Sequence, residues 1–354
     1  MKQKKNIIFV DCTQQEIQSF VDGFNEASDE KYELKVSIAN WGHGGLMINL
    51  RRYLAYFLAP LKLLRHRKEF GNIVCWQQFY AINYAFFCRL FRLKRHHKTL
   101  VAVNFTYKRK AGLLGKIYHK YMVYACRNKY IDYFHIPSYN YVAQCCEELG
   151  LRPEQFLVVH YGVPDTYDEM RDLKVDFDGE YVFSIGRSNR DFDFLVDVWR
   201  QDCLKPYHLV IASDVWQPSG ELPSNITFRN DITYEQSFAW LNNCKLSITS
   251  IDDGRICSGD TVLLTAMMLG KPVVVTSPST LAEMYVRDDI NGLSVPKDTA
   301  QAASMIAALL GDRDRMARLA ASARQSFVDR FSRRNMARTL CQQLSGRTSQ
   351  PRLT

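Results

Sequence analysis

Residues 245–296 read KLSITSIDDGRICSGDTVLLTAMMLGKPVVVTSPSTLAEMYVRDDINGLSVP, and the fold follows from them. Leu246 to Ile251 is an apolar run of strand length. A short polar loop with glycines follows, then an apolar helix over about Thr261 to Leu269, stopped by Gly270. Lys271-Pro272 leads into a second apolar strand, Val273 to Val275. Strand, loop, helix and strand make one βαβ crossover. The loop falls at the strand's C-terminal end and at the helix N-terminus, where free backbone N–H groups and the helix dipole favour anions. Ser258, Gly259, Asp260 and Thr261 therefore form a candidate phosphate cradle, and an ordinary βα turn with an N-cap has the same pattern.

Working outward, helices alternate with short apolar strands along the chain. Strands are predicted at Ile7–Val10, Leu34–Ala39, Asn72–Trp76, Thr99–Val103, Ile131–Ile136 and Gln155–His160. Others follow at Tyr181–Ile185, His208–Ala212 and Ile226–Arg229. That alternation predicts parallel sheets covered on both faces. A helix is expected from Leu46 to Lys68, interrupted near Pro60. Residues 166–179 are charged, without apolar period, and read as an interdomain linker. A long helix is expected from Asp312 to about Phe331, another from Ser332 to about Leu344, and a disordered tail over 346–354.

Composition fits a folded two-domain protein: 354 residues, 47% hydrophobic and 23% charged. Its ten cysteines show no metal-ligand spacing. No signal peptide and no run of transmembrane length is read, so a reducing cytosol is expected. Charge is one-sided. Residues 1–165 hold 24 Lys+Arg against 13 Asp+Glu, and the remainder 22 against 24. From Arg51 to Lys129 there are 18 Lys+Arg and one acid, Glu69. Such a half attracts polyanions or an anionic leaflet. Within it, Tyr53, Leu54, Phe57, Leu58, Leu61 and Leu64 interleave with cations in the pattern of an interfacial helix, which a core helix with a solvated face shares. No nucleic-acid-binding module, nucleophile elbow or P-loop is present, and no nucleic-acid partner is expected.

Leu263-Leu264-Thr265-Ala266-Met267-Met268-Leu269-Gly270-Lys271-Pro272-Val273-Val274, then Glu283, then Asn291-Gly292-Leu293-Ser294-Val295-Pro296, resembles the nucleotide-sugar half of GT-B glycosyltransferases of family 4, the glycosyl transferases group 1 type. The resemblance implies an α/β fold of two Rossmann-like domains facing a central cleft, with parallel sheets. The N-terminal domain would cover 1–165 on the acceptor and membrane side, and the nucleotide-sugar domain 180–331. A terminal helix, 332–345, would pack back on the first domain. Gly186-Arg187 after the Tyr181 strand matches the family's Gly-Arg pair, and Arg190 stands in for a lysine a few residues on. Together Arg187 and Arg190 would grip the donor diphosphate and stabilise it as a leaving group.

One departure stands out. The family's two glutamates, seven residues apart, fall here at Cys257 and Thr265, and neither carries a carboxylate. Asp260, Asp252, Asp253 and Glu283 are the possible substitutes for the sugar and ribose contacts, and the sequence does not choose among them. His43, in a Gly42-His43-Gly44-Gly45 loop, and His135 are the candidate bases, each equally readable as a structural histidine. The expected activity is retaining transfer of a sugar from a nucleotide-diphosphate sugar to a hydroxyl of a lipid-linked or polysaccharide acceptor, at the cytoplasmic membrane face. No metal and no cofactor beyond the donor substrate is expected. The replaced glutamates motivate the alternative, an inactive relative that serves as a scaffold for glycan assembly.

Overall fold

The computed structural model describes residues 4–38, 46–256 and 258–348. In chain order the strands and helices are β1 (Lys5–Val10), α1 (Gln14–Glu26), β2 (Tyr32–Val36), α2 (Leu46–Arg65), β3 (Phe70–Cys75), α3 (Gln78–Leu90), β4 (Thr99–Ala102), α4 (Gly112–Cys126), β5 (Tyr133–Ile136), α5 (Tyr139–Leu149) and β6 (Phe156–Val158). They continue with α6 (Tyr167–Met170), β7 (Tyr181–Ile185), α7 (Phe192–Trp199), β8 (His208–Ala212), β9 (Ile226–Arg229), α8 (Tyr234–Asn243), β10 (Leu246–Thr249), α9 (Asp260–Met268), β11 (Val273–Ser277), α10 (Thr280–Tyr285), β12 (Leu293–Pro296), α11 (Thr299–Gly311), α12 (Arg313–Ser326) and α13 (Arg333–Thr348). The chain forms two units, residues 1–161 with 333–354, and residues 162–332.

The first unit is a six-stranded parallel sheet ordered β2-β1-β3-β4-β5-β6. Its central strands β1 and β3 are buried on both faces, as helices on either side require. One face carries Ile7, Ile73, Phe134 and the aromatic rows of α3. The other packs Ile8, Phe20 and Phe24 against Met336, Leu340 and Leu344 of α13. Close approach of α1 to α13 needs Gly23, because a Cβ there would lie 2.2 Å from the Arg334 carbonyl oxygen.

The second unit is a six-stranded parallel sheet ordered β12-β11-β10-β7-β8-β9. Chain order leaves β7 in one direction for β8 and β9, and resumes on its other side with β10. The switch point lies between β7 and β10, where open α/β sheets bind ligands beyond the strands' C-terminal ends.

Several local expectations change. Helix α2 runs unbroken through Pro60. Proline cannot donate to the Tyr56 carbonyl, but Asn83 Nδ2 donates to that oxygen at 2.8 Å instead. Strand β2 starts early, at Tyr32, because Asn25 takes its N–H at 2.7 Å and donates to its carbonyl at 3.2 Å. Residues 166–179 are no free linker. Asn242 and Asn243 donate to the carbonyls of Arg171 and Leu173 at 2.7 Å, and Arg324 forks onto Asp165 at 2.9 Å. Helix α7 was not foreseen. Helix α12 ends in a wide π turn over Phe327–Phe331, and α13 extends to Thr348, into the expected tail; the rest of that tail lies outside the described residues. No described helix is long and apolar enough to cross a membrane.

Candidate functional site

At the switch point of the second unit the loops after β7 and β10 are zipped together. Asn189, in the left-handed region at φ 55°, takes the Asp253 N–H at 2.8 Å and donates to the Asp253 carbonyl at 3.0 Å. The Asp191 N–H donates to Ser250 O at 3.2 Å, and the Asp252 N–H to Asn189 O at 3.3 Å. Asp191 caps α7 and is ion-paired with Lys297 at 2.5 Å.

Between these loops lies a cavity of about 690 Å³. The strand ends supply Gly186, Arg187 and Arg190 on one side and Asp214 and Asn230 on another. The start of α9 supplies Ser258, Gly259, Asp260 and Thr261, and Thr265 lies one turn further. Tyr234, Ser237 and Phe238 of α8 close the far wall.

Arg190 joins the two loops. Its Nη1 donates to Ser188 O at 3.0 Å and to Ser258 Oγ at 3.2 Å. Desolvation lowers its pKa to about 10, with Asp260 opposing the shift. Gly186 and Gly259 make room for it: a Cβ on the first would lie 2.4 Å from its Nε, and on the second 2.9 Å from its Nη2. Gly259 also sits at φ +95°, a conformation that favours glycine. Burial raises the pKa of Asp260, whose Oδ1 accepts the Thr261 N–H at 2.9 Å and so occupies one amide of the cradle. Arg187 is mostly exposed and paired with Asp214 at 2.7 Å.

The structure thus brings six predicted residues, Arg187, Arg190, Ser258, Gly259, Asp260 and Thr261, to one cavity. Asp253 and Glu283 do not line it. Asp253 is forked onto Arg255 at 2.8–2.9 Å, and Glu283 lies in the first turn of α10. Cys257 and His43 lie outside the described residues. His135 is corrected as a base. It is buried, Nε2 donates to Val159 O at 2.9 Å and Nδ1 accepts the Asn104 N–H at 3.1 Å. Burial pushes its pKa down to about 4, so the ring serves as a neutral strand-end tie. Asn291 is equally structural: it accepts the Arg287 N–H at 2.7 Å and donates to Tyr285 O at 3.1 Å, while Gly292 leaves room for Val273.

Sequence reading missed Asp214, Tyr234 and Ser237. The signal was available, since in a parallel sheet every strand-following loop lies on the same edge, and Ser213-Asp214 directly follows β8. Nor did it make a site residue of Asp11, which follows β1, in the place of the family's Gly-Gly loop, at the first unit's own switch point. Asp11 is buried and accepts from Gln77 Nε2 at 3.2 Å and from the Tyr56 hydroxyl at 3.3 Å. Burial outweighs these bonds and raises its pKa.

Residues 179–312, which span this cavity, match the family model of glycosyl transferases group 1. The second unit is a group 1 glycosyltransferase domain. Among solved structures, a glycosyltransferase from Rickettsia africae aligns over 99% of this chain and 100% of its own, at 13% identity and TM-score 0.61. Sucrose-phosphate synthase from Thermosynechococcus elongatus aligns over 97% and 99%, at 12% and 0.64. The Anabaena protein HepE, solved in complex with UDP and glucose, aligns over 98% and 100%, at 16% and 0.58. No curated protein sequence matches the chain. With its two six-stranded parallel α/β units, the glycosyltransferase has the GT-B fold.

Proposed function

We propose that this glycosyltransferase moves a sugar from a nucleotide-diphosphate sugar to a hydroxyl of a lipid-linked or polysaccharide acceptor, with retention of configuration. The observation that carries the reading is the cavity at the β7/β10 switch point, where two arginines meet the N-terminus of α9. Arg187 is the mobile grip: its pairing with Asp214 is solvent-exposed and readily exchanged for a diphosphate. Arg190 fixes the loop and, with the amides of Gly259 and Asp260, offers positive potential at the leaving oxygens. These groups take the part that a divalent cation takes elsewhere, and no cofactor beyond the donor is called for.

Thr265, where the family has its second glutamate, presents only a hydroxyl to the cavity. The ribose contact is assigned to neutral donors of the wall, Thr265 and Ser237. The same feature supports the second reading, a domain that binds nucleotide without turnover in a glycan-assembly complex. HepE, of similar fold, was solved with UDP, which makes uridine diphosphate the first donor half to try. We place the protein on the cytoplasmic face of the membrane, held by its basic first unit.

The test is thermal-shift binding of UDP, GDP, ADP, CMP and TDP to the full chain, repeated on Arg187→Ala. Stabilisation by one diphosphate, lost in the variant, supports the donor site and names the base for a transfer assay. No stabilisation by any of them in a folded sample overturns it. Binding without transfer to any acceptor extract moves the reading to the scaffold.

A further inference from the structure

We infer, on the donor reading of this cavity, that the site does not read the 2′-hydroxyl of its nucleotide and that its donors include 2′-deoxyribonucleoside diphosphate sugars. With the diphosphate at the start of α9, the remaining walls place the nucleoside. Ile232, Tyr234, Phe238 and Leu241 line the α8 side, an apolar and aromatic wall suited to the flat face of a base. Thr265 lies one turn along α9 from Thr261, about 6 Å further by helix rise. Ser237 reaches the cavity from α8. The ribose, which joins base to phosphate, therefore passes Thr265 and Ser237.

A ribose diol offers two adjacent O–H donors, and a carboxylate, with two oxygens, is the side chain that takes both. Among the described residues two carboxylates line the cavity, Asp214 and Asp260, and each is already engaged with the phosphate-binding groups. Asp214 accepts from Arg187 Nε at 2.7 Å, and at 49% exposure it is hydrated when the arginine leaves it. Asp260 opens α9, accepts the Thr261 N–H at 2.9 Å and faces the charge of Arg190. Asp231, just outside the cavity, is forked onto Arg229 at 2.7 Å. Beside the ribose stand Thr265 and Ser237, 6% and 8% exposed. Each offers a single neutral hydroxyl, and that of Ser237 is shared with Tyr234 O at 2.6 Å. A site built to pair a substrate hydroxyl rejects the analogue without it by about 10⁴-fold or more, because its buried polar group is left unpaired. Here the missing 2′-hydroxyl strands no charge. It costs at most one neutral hydrogen bond, a factor of about ten or less.

The experiment is calorimetric titration of the full chain with UDP, GDP, ADP and CDP, each beside its 2′-deoxy counterpart. For whichever base binds, the two affinities are expected to agree within about tenfold. Thr265→Glu sets a carboxylate beside the diol and should widen the ratio, in favour of the ribonucleotide, to about a hundredfold or more. A parent protein that binds the ribonucleotide more than about tenfold better than its deoxy partner would overturn the inference and leave the donor site in place. So would a folded Thr265→Glu protein with the parent's ratio, since the ribose would then not pass Thr265. If that variant does not fold, the parent's ratio decides alone. Failure of every pair to bind a folded parent would strike the donor reading itself.

Discussion

The guanidinium of Arg190 fills the space that a side chain on Gly259 would need. A Cβ there would lie 2.9 Å from Nη2 and 3.2 Å from Thr249 Cγ2, on a backbone already at φ +95°. Gly186 meets the same guanidinium from the other loop, at 2.4 Å. The glycines of these two loops thus serve a second purpose beside turning the chain: they let one cation bridge the ends of β7 and β10.

Gly259→Ala should therefore displace Arg190 as well as strain the turn. A destabilisation of about 1–3 kcal/mol is expected, with loss of nucleotide-diphosphate binding. Gly220→Ala is the control, since nothing lies within 4 Å of that Cβ. Urea unfolding and calorimetric titration on both variants measure this. A Gly259→Ala protein as stable and as competent as the control would refute the coupling.

Arg187 and Asp214 give the opposite pattern. Their 2.7 Å pair joins side chains 66% and 49% exposed, and such pairs contribute about 0–1 kcal/mol. Arg187→Ala should leave Tm nearly unchanged yet weaken diphosphate binding by about 10- to 100-fold, the loss of a charge-assisted fork. Asp214→Ala frees the arginine and should leave binding equal or tighter. Matched losses in both variants would mean that the pair acts as one structural unit and that Arg187 is no diphosphate ligand.

Much of this was legible along the chain. Leu246 to Val275 announces its βαβ unit because apolar run lengths and Gly270 are local signals, and the candidate phosphate cradle follows from where the loop must fall. What the sequence hides is set by distant partners. Pro60 predicts a break in α2, and only the Asn83 amide at 2.8 Å removes the cost of the missing donor. Arg190 reads as a diphosphate ligand, and only its contact with Gly259, remote in sequence, shows that it also ties two loops together. His135 reads as a candidate base until both ring nitrogens meet backbone groups. Helix α7 is short, with five of its eight residues buried, so only Asp193 and Asp197, one turn apart, mark its period.

Gly23 provides a test of how α13 is attached. A Cβ on it would lie 2.2 Å from Arg334 O and 2.9 Å from Arg334 C, both backbone atoms that cannot swing aside. Gly23→Ala should push α13 off α1 and uncover Met336, Leu340 and Leu344. A loss of about 3 kcal/mol or more is expected, at the upper end for overpacking, and limited proteolysis should remove the C-terminal helix first. A variant that resists protease like the parent would show that the helices slide apart without loss.

Asp11 sets a pH dependence whose sign follows from its surroundings. Burial raises its pKa above the carboxylate value of 3.8, despite the bonds from Gln77 and Tyr56. A group with a raised folded-state pKa binds its proton more tightly when folded. Its favourable contribution is complete below the unfolded pKa and is lost as pH rises through the folded one. At neutral pH the buried carboxylate therefore weakens the first unit. Asp11→Asn keeps an oxygen to accept from Gln77 and Tyr56 and removes the charge, so it should raise Tm at pH 7. Its advantage over the parent should shrink steadily as pH falls into the carboxylate range, where Asp11 takes up its proton. Thermal melts of both proteins across that range decide the matter. A Tm difference that stays flat with pH, or grows on acidification, would show that Asp11 does not carry the raised pKa. A Tm gain accompanied by loss of sugar transfer would show that the charge is kept at this switch point for function, at the expense of stability.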